Sequence, residues 1–376
     1  MHVVLYTHSL VSDWNHGNVH FLRGVLVELQ ALGHTTLALE PADGWSRTNL
    51  QNEQGEAPIA RFAALFPQLR VVTYDLGFDH EAAVENADVV IVHEWTAPDI
   101  VARLGRMRRN GGDFTLVFHD THHRAVSDTA AIGDLLLQDY DIVLAFGETL
   151  RERYLQRGWG RQVFTWHEAA DTRLFRPLSS PATPAGLIWI GNWGDDERTR
   201  ELTEFLIEPC RRLALGGTVH GVRYPEEAQR VLAATPLLYR GWIANVDVRA
   251  AFACHRMTVH VPRRPYVEAL PGIPTIRVFE ALACGIPLVC APWRDTEGLF
   301  SAGEDYLLAR DGADMTRHLR DLQHDANLVR GLRENGLERI RTRHTCAHRV
   351  DDLLAILAER GTTRARRGLK PLEATS

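Results

Sequence analysis

Arg277 and Glu280 stand three residues apart, inside a stretch that opens Pro271-Gly-Ile-Pro-Thr-Ile and closes Cys284-Gly-Ile-Pro-Leu-Val. A spacing of three puts both side chains on one helical face. Pro274 suits a first helical turn, because its missing N–H and fixed φ cost nothing there. Gly285 suits the left-handed stop at the far end. The spacing predicts a short helix over 277–284, with the loop Gly272, Ile273, Pro274, Thr275 and Ile276 leading into it. Free backbone N–H groups at such a helix start attract phosphate. A carboxylate one turn deeper, here Glu280, can hold a ribose diol. A diphosphate cradle beside a diol acceptor is what a nucleotide-sugar site needs. The same residues also fit an ordinary helix–strand unit, with Arg277 and Glu280 as a surface ion pair.

Further candidates lie elsewhere. Gly17-Asn18 follows a first strand and a polar loop and opens a helix, so its N–H groups could face an anion. His93-Glu94 and His119-Asp-Thr-His-His123 end two apolar strands. The C-terminal edge of a parallel sheet is where ligands bind. Their spacing fits no metal signature, so no metal site is expected. Arg263 and Arg264 follow another apolar strand, and Arg198 lies in a polar helix. A guanidinium can grip phosphate through two hydrogen bonds.

Three segments resemble one known family. Phe279-Glu-Ala-Leu-Ala-Cys-Gly-Ile-Pro-Leu-Val289 resembles the C-terminal signature of group 1 glycosyltransferases, retaining enzymes with the GT-B fold. Asp171-Thr-Arg-Leu-Phe-Arg-Pro177 resembles their D-x-x-x-F-x-P signature. The run from Val261 to Arg277 and the segment from Ile190 to Arg200 resemble the CgeB-type, spore-maturation-like branch.

The resemblance implies a retaining glycosyltransferase that uses a nucleoside-diphosphate sugar as co-substrate, with no other cofactor and no metal. It implies that His119 contacts the donor sugar and that Glu280 binds the ribose. The first glutamate of the family's E-x7-E motif would fall at Gly272, and Glu268 is the nearby candidate to replace it. Without a certain carboxylate under the sugar, a front-face mechanism asks less of the protein than double displacement. The donor would rest on Gly17, Asn18, Arg198, Arg263, Arg264, the loop 272–276, Arg277 and Glu280. A GT-B nucleotide-sugar epimerase and a non-catalytic GT-B binding protein remain alternatives. The acceptor stays open: a glycan, a natural product or a protein.

The rest of the chain agrees with these expectations. Its 376 residues are comfortable for two domains. A net charge of −6 gives no reason to expect nucleic acid. Five scattered cysteines, odd in number, suit a reducing cytoplasm. The basic helix end at Arg103, Arg106, Arg108 and Arg109 could touch a membrane surface but more simply complements a helix dipole, so no membrane contact is expected. Of 42 basic residues only Lys370 is lysine, which removes a core Schiff base and leaves diphosphate binding to arginine and amides.

Apolar runs at 3–7, 36–40, 71–75, 89–93, 115–119 and 142–146 alternate with helical patterns, and a second alternation follows at 187–191, 219–222, 237–241, 258–261, 287–290 and 306–308. Continuous apolar strands between helices indicate parallel sheets covered on both faces. The expected architecture is therefore α/β: two doubly wound, Rossmann-like domains facing each other across a cleft. The first spans 1–178 on the acceptor side, then a linker 179–186, then a donor-side domain 187–345. A closing helix at 346–360 and a disordered tail at 361–376 complete the chain.

Overall fold

A computed structural model describes residues 1–179, 184–194 and 198–368. The first sheet holds β1 (His2–Tyr6), β2 (Thr35–Pro41), β3 (Val71–Tyr74), β4 (Val89–His93), β5 (Thr115–Asp120), β6 (Ile142–Ala145) and β7 (Val163–Thr165). It is parallel throughout, in the order β3-β2-β1-β4-β5-β6-β7. The second holds β8 (Ala185–Ile190), β9 (Gly217–His220), β10 (Leu237–Tyr239), β11 (His255–His260), β12 (Leu288–Cys290) and β13 (Leu307–Leu308). It too is parallel, in the order β10-β9-β8-β11-β12-β13. Both are doubly wound sheets, as the alternation of apolar runs predicts. Strands β1, β4 and β5 are buried almost end to end, which is why they read as unbroken apolar runs.

The strand order reverses between β1 and β4 in one sheet and between β8 and β11 in the other. Such a switch point leaves a crevice beyond the carboxyl ends of the two strands. The two crevices face each other. The segments after them, His8–Asn18 and Glu94 on one side and Gly191–Asn192 and Val261–Arg263 on the other, form opposite walls of one cleft.

Strand β7 has no counterpart among the expected strands; at three residues it is too short for a periodic signal. The helix Trp45–Gln54 was also unexpected, because only Ser46 and Leu50 of it are buried and its apolar stripe is thin. The expected linker 179–186 lies partly outside the described residues. The C-terminal helix runs from Cys346 to Gly368, eight residues into the segment expected as tail.

That helix crosses back to the first half. Trp166 donates its indole N–H to the Arg349 carbonyl at 2.7 Å, and Cys346 Sγ reaches the Phe21 carbonyl at 3.9 Å. Gly24 makes the crossing tight: a Cβ there would stand 2.5 Å from Cys346 Sγ. Asp171, Phe175 and Cys346 are all buried at this crossing. Ala170 exchanges backbone hydrogen bonds with His344 and Cys346. The apolar core is continuous through it, from Phe21 and Trp166 to Ile276 and Phe279.

Candidate functional site

The loop after β1 must carry polar groups to the cleft without collapsing. A fully buried carboxylate, Glu40, accepts the N–H of Leu10 at 2.5 Å and of Val11 at 3.1 Å. Arg23, from the helix Val19–Ala31, donates to the carbonyls of the same two residues at 2.8 and 2.9 Å. The pinned loop brings His8, Asn15, His16, Gly17 and Asn18 to the cleft wall. Gly17 faces the other domain: a Cβ on it would sit 3.5 Å from both Arg277 Nη2 and Ile276 Cγ2.

Asn18 reaches across to the β5 edge and donates to Thr121 Oγ1 at 2.6 Å. Thr121 Oγ1 lies 3.2 Å from His93 Nε2 and donates to Glu94 Oε1 at 3.4 Å, while His93 Nδ1 lies 3.0 Å from Glu94 Oε2. Burial, then Asp120, pushes the Glu94 carboxyl well above the usual range. Burial raises Asp120 to about 6, although Tyr154 donates to it at 2.7 Å. The imidazoles move the other way. Burial holds His8 and His119 at about 3 and His93 well below its ordinary value, so all three are neutral.

The second half supplies the opposite wall. Arg198 donates to the carbonyls of Val261, at 2.8 Å, and Asn192, and it lies over the Trp189 ring. Arg263 lies beside His123, 3.5 Å from its Nε2. His260, at the end of β11, lies 2.9 Å from Thr275 Oγ1, and Thr275 stands at the N-cap position of the helix Ile276–Cys284 without a side-chain capping bond. Pro274 therefore stands just before the cap rather than in the first turn. Gly285 ends the helix in the left-handed region, at φ 65°.

The cleft encloses about 490 Å³. Of the expected site residues, Gly17, Asn18, Arg198, Arg263, Thr275, Ile276 and Arg277 line it together. The others lie elsewhere, each for a physical reason. His119 is fully buried, between Trp166 at 4.8 Å and Phe21 at 6.1 Å between ring centroids, and does not reach the cleft. Glu268 is exposed at the end of a short helix, Arg264–Glu268, and is not among the residues that line the cleft. Arg264 pairs with Glu201 at 3.3 Å instead.

Glu280 is fully buried, with the Arg277 guanidinium on one oxygen and His20 Nε2 3.1 Å from the other, which has no hydrogen-bond partner. Gly272 has φ 91°, and a Cβ on it would meet Thr296 Oγ1 at 2.4 Å, so no glutamate fits there. Gly272, Ile273 and Pro274 serve the contact between the halves. Ile273 packs on Gly147, and Glu297 beside Gly272 accepts the Glu148 N–H at 2.8 Å and meets His167 at 2.7 Å.

Several lining residues were not among the expected ones: Glu168, Arg223, Trp45 and Trp95. Glu168 follows the short strand β7 and is 3% exposed. Burial lifts its carboxyl to about 8; Asn18 and the Ile276 N–H work against that rise, and Glu280 adds to it. Among the described residues no group of three or more His, Cys, Asp or Glu has the geometry to hold a metal ion. No helix among them is long and apolar enough to cross a membrane.

Solved structures align over nearly the whole chain. An α-glucosyltransferase in complex with UDP-glucose and DNA containing an abasic site has a TM-score of 0.70 at 12% identity, over 95% of this chain and 99% of that one. HepE from Anabaena in complex with UDP-glucose has 0.68 at 13% identity, over 96% and 100%. Sucrose-phosphate synthase from Thermosynechococcus elongatus has 0.66 at 14% identity, over 96% and 100%. The fold is GT-B. Within the GT-B frame, residues 198–355 match the model of a glycosyl transferase-like family. That stretch contains β9 to β13 and the start of the C-terminal helix. No curated protein matches the chain in sequence.

Proposed function

We propose that the chain is a retaining glycosyltransferase that moves a sugar from a nucleoside-diphosphate donor to a hydroxyl acceptor. One observation carries the reading: Arg198, Arg263, Arg277 and the start of the Ile276–Cys284 helix converge on one cleft, opposite Gly17 and Asn18. Guanidinium groups and helix amides are the chemistry that holds a diphosphate. The donor rests mainly on the second half of the chain and the acceptor on the first. The CgeB-type resemblance and the match over 198–355 support the same assignment. The unpaired state of all five cysteines suits a cytoplasmic enzyme.

The reaction needs little covalent help from the protein. The bond from the anomeric carbon to the leaving phosphate oxygen breaks, and the acceptor oxygen bonds to that carbon on the same face. The acceptor proton passes to the departing diphosphate. Arginine charge and oriented amides stabilise the negative charge that grows there. No metal is required, because these groups already neutralise the diphosphate. The step as written uses no protein carboxylate, and Glu268 lies outside the cleft lining.

Ligand-induced stabilisation tests the reading. A nucleotide that binds only the folded protein adds about 2.7 kcal/mol at a hundredfold excess over Kd. UDP, tested first because HepE and the α-glucosyltransferase are seen with UDP-glucose, should raise the melting temperature, or GDP, dTDP or ADP should do so. If none of the four does, the reading fails. Transfer assays with the matching sugar donor then separate a transferase from an epimerase or a binding protein.

A further inference from the structure

Two carboxyl groups line the cleft among the described residues, Glu94 and Glu168. Glu94 is absorbed by His93 and Thr121 on the wall of the first half. Glu168 stands where the two halves meet. Its backbone is clamped from the C-terminal helix: Arg349 Nε donates to the carbonyls of His167 and Glu168 at 3.0 and 3.4 Å. The side chain lines the cleft and is 3% exposed.

The groups facing that carboxyl come from three elements. Asn18 approaches from the loop that precedes the first helix, and the Ile276 N–H, Arg277 and Glu280 belong to the Ile276–Cys284 helix. Tyr266 faces it from the short helix Arg264–Glu268, and burial raises that phenol well above its ordinary value, so it stays neutral. Arg277 is already engaged by Glu280. Among the described residues the one cation facing the Glu168 carboxyl, Arg277, is thus shared with Glu280, and the carboxyl lies at the helix start where a diphosphate would sit. Ionised, it would set a third negative charge against the ligand in a poorly solvated place. Neutral, it carries the one kind of group that a phosphoryl oxygen lacks, a proton donor.

We propose that Glu168 binds the donor as a neutral acid, keeping its proton and donating it in a hydrogen bond to a phosphoryl oxygen of the diphosphate. The proposal rests on the nucleotide-sugar reading of the cleft. Its consequence is linkage. Where free Glu168 is ionised, binding must draw one proton from solvent to form the carboxylic acid. Free Glu168 crosses to its ionised form near pH 8.

The test is calorimetric titration of the protein with UDP at pH 7.0, 8.5 and 9.0, in two buffers of different ionisation enthalpy, repeated with GDP and ADP. Above pH 8 a terminal phosphate, whose second ionisation lies near 6, carries no proton of its own. The expected uptake is roughly a tenth of a proton at pH 7.0 and roughly three-quarters at pH 8.5. Affinity should fall about tenfold between pH 7 and 9.

In Glu168→Gln, whose amide still donates, nucleotide should bind with no uptake and a flat pH profile. Binding without uptake in the unaltered protein overturns the proposal, and so does uptake that persists in the glutamine variant. Should that variant fail to fold by circular dichroism, the pH series on the unaltered protein decides alone. Failure of every diphosphate to bind sinks the nucleotide-site reading itself, and this proposal with it.

Discussion

Replacing His119 by phenylalanine should leave the protein folded and make it less sensitive to acid. The imidazole is fully buried, and neither ring nitrogen has a hydrogen-bond partner. Burial lowers it from an ordinary 6.5 to about 3. As pH falls below 6.5 the unfolded chain takes up this proton first and the folded one does not. The stability contributed by the neutral ring is therefore complete above 6.5 and is lost as pH falls toward 3. Between pH 7.5 and 5.0 the loss from this one group is about 2 kcal/mol.

Phenylalanine has no nitrogens to protonate and fills nearly the same space against Trp166 and Phe21. Urea melts at the two pH values should show the His119→Phe protein losing about 2 kcal/mol less than the parent. His119→Ala should instead lose on the order of 2–5 kcal/mol at both pH values, from the cavity it leaves. Turnover by the phenylalanine variant should stay within about threefold, since the ring does not line the cleft. An equal acid sensitivity would refute the burial argument. A collapse of turnover in a protein that folds normally would return His119 to the sugar.

Other substitutions probe the remaining assignments. Arg277→Ala should weaken binding of the nucleoside diphosphate by about 10- to 150-fold in calorimetry, the worth of a charge-assisted hydrogen bond of about 1.5–3 kcal/mol; unchanged affinity would remove it from the site. Glu280→Ala should cost about 3–5 kcal/mol in a urea melt, because it strands His20 and Arg277 around a buried gap; a normal melt with lost nucleotide affinity would instead make Glu280 a ligand-binding group. Gly272→Ala should lower stability by about 1–3 kcal/mol through its left-handed backbone, and a neutral result would mean that the loop relaxes freely.

What the sequence made legible was whatever repeats along the chain. Strands such as β4 and β5 are buried on both faces, so their apolar runs announced both sheets and their parallel pairing. Residues that end those strands were legible as cleft residues for the same reason: Arg263 follows β11, and Asn18 follows the loop after β1. Strand β7 was not legible, and with it went Glu168, because three residues carry no period.

The misplaced residues share a different cause. Glu280 and Arg277 were correctly read as sharing a helical face, but spacing cannot say whether a carboxylate's oxygens are free. Here one oxygen is engaged by Arg277, and the other is buried beside His20, which comes from the other end of the chain. His119 was read as facing the cleft because it stands near the end of β5. Its place inside the sheet, between His93 of β4 and Leu144 of β6, buries its ring against Phe21 and Trp166, whereas Thr121, just past the strand end, meets Asn18.

At Gly272 the departure from the family pattern has a steric meaning. Thr296 and Glu297 occupy the space a side chain would need, and Glu297 spends its carboxylate on Glu148 and His167 across the junction. Where the resemblance implies a carboxylate, the chain has a contact between its two halves. Among the described residues, the carboxyl groups that line the cleft come instead from the first half of the chain, at Glu94 and Glu168. Burial favours the neutral form of both acids.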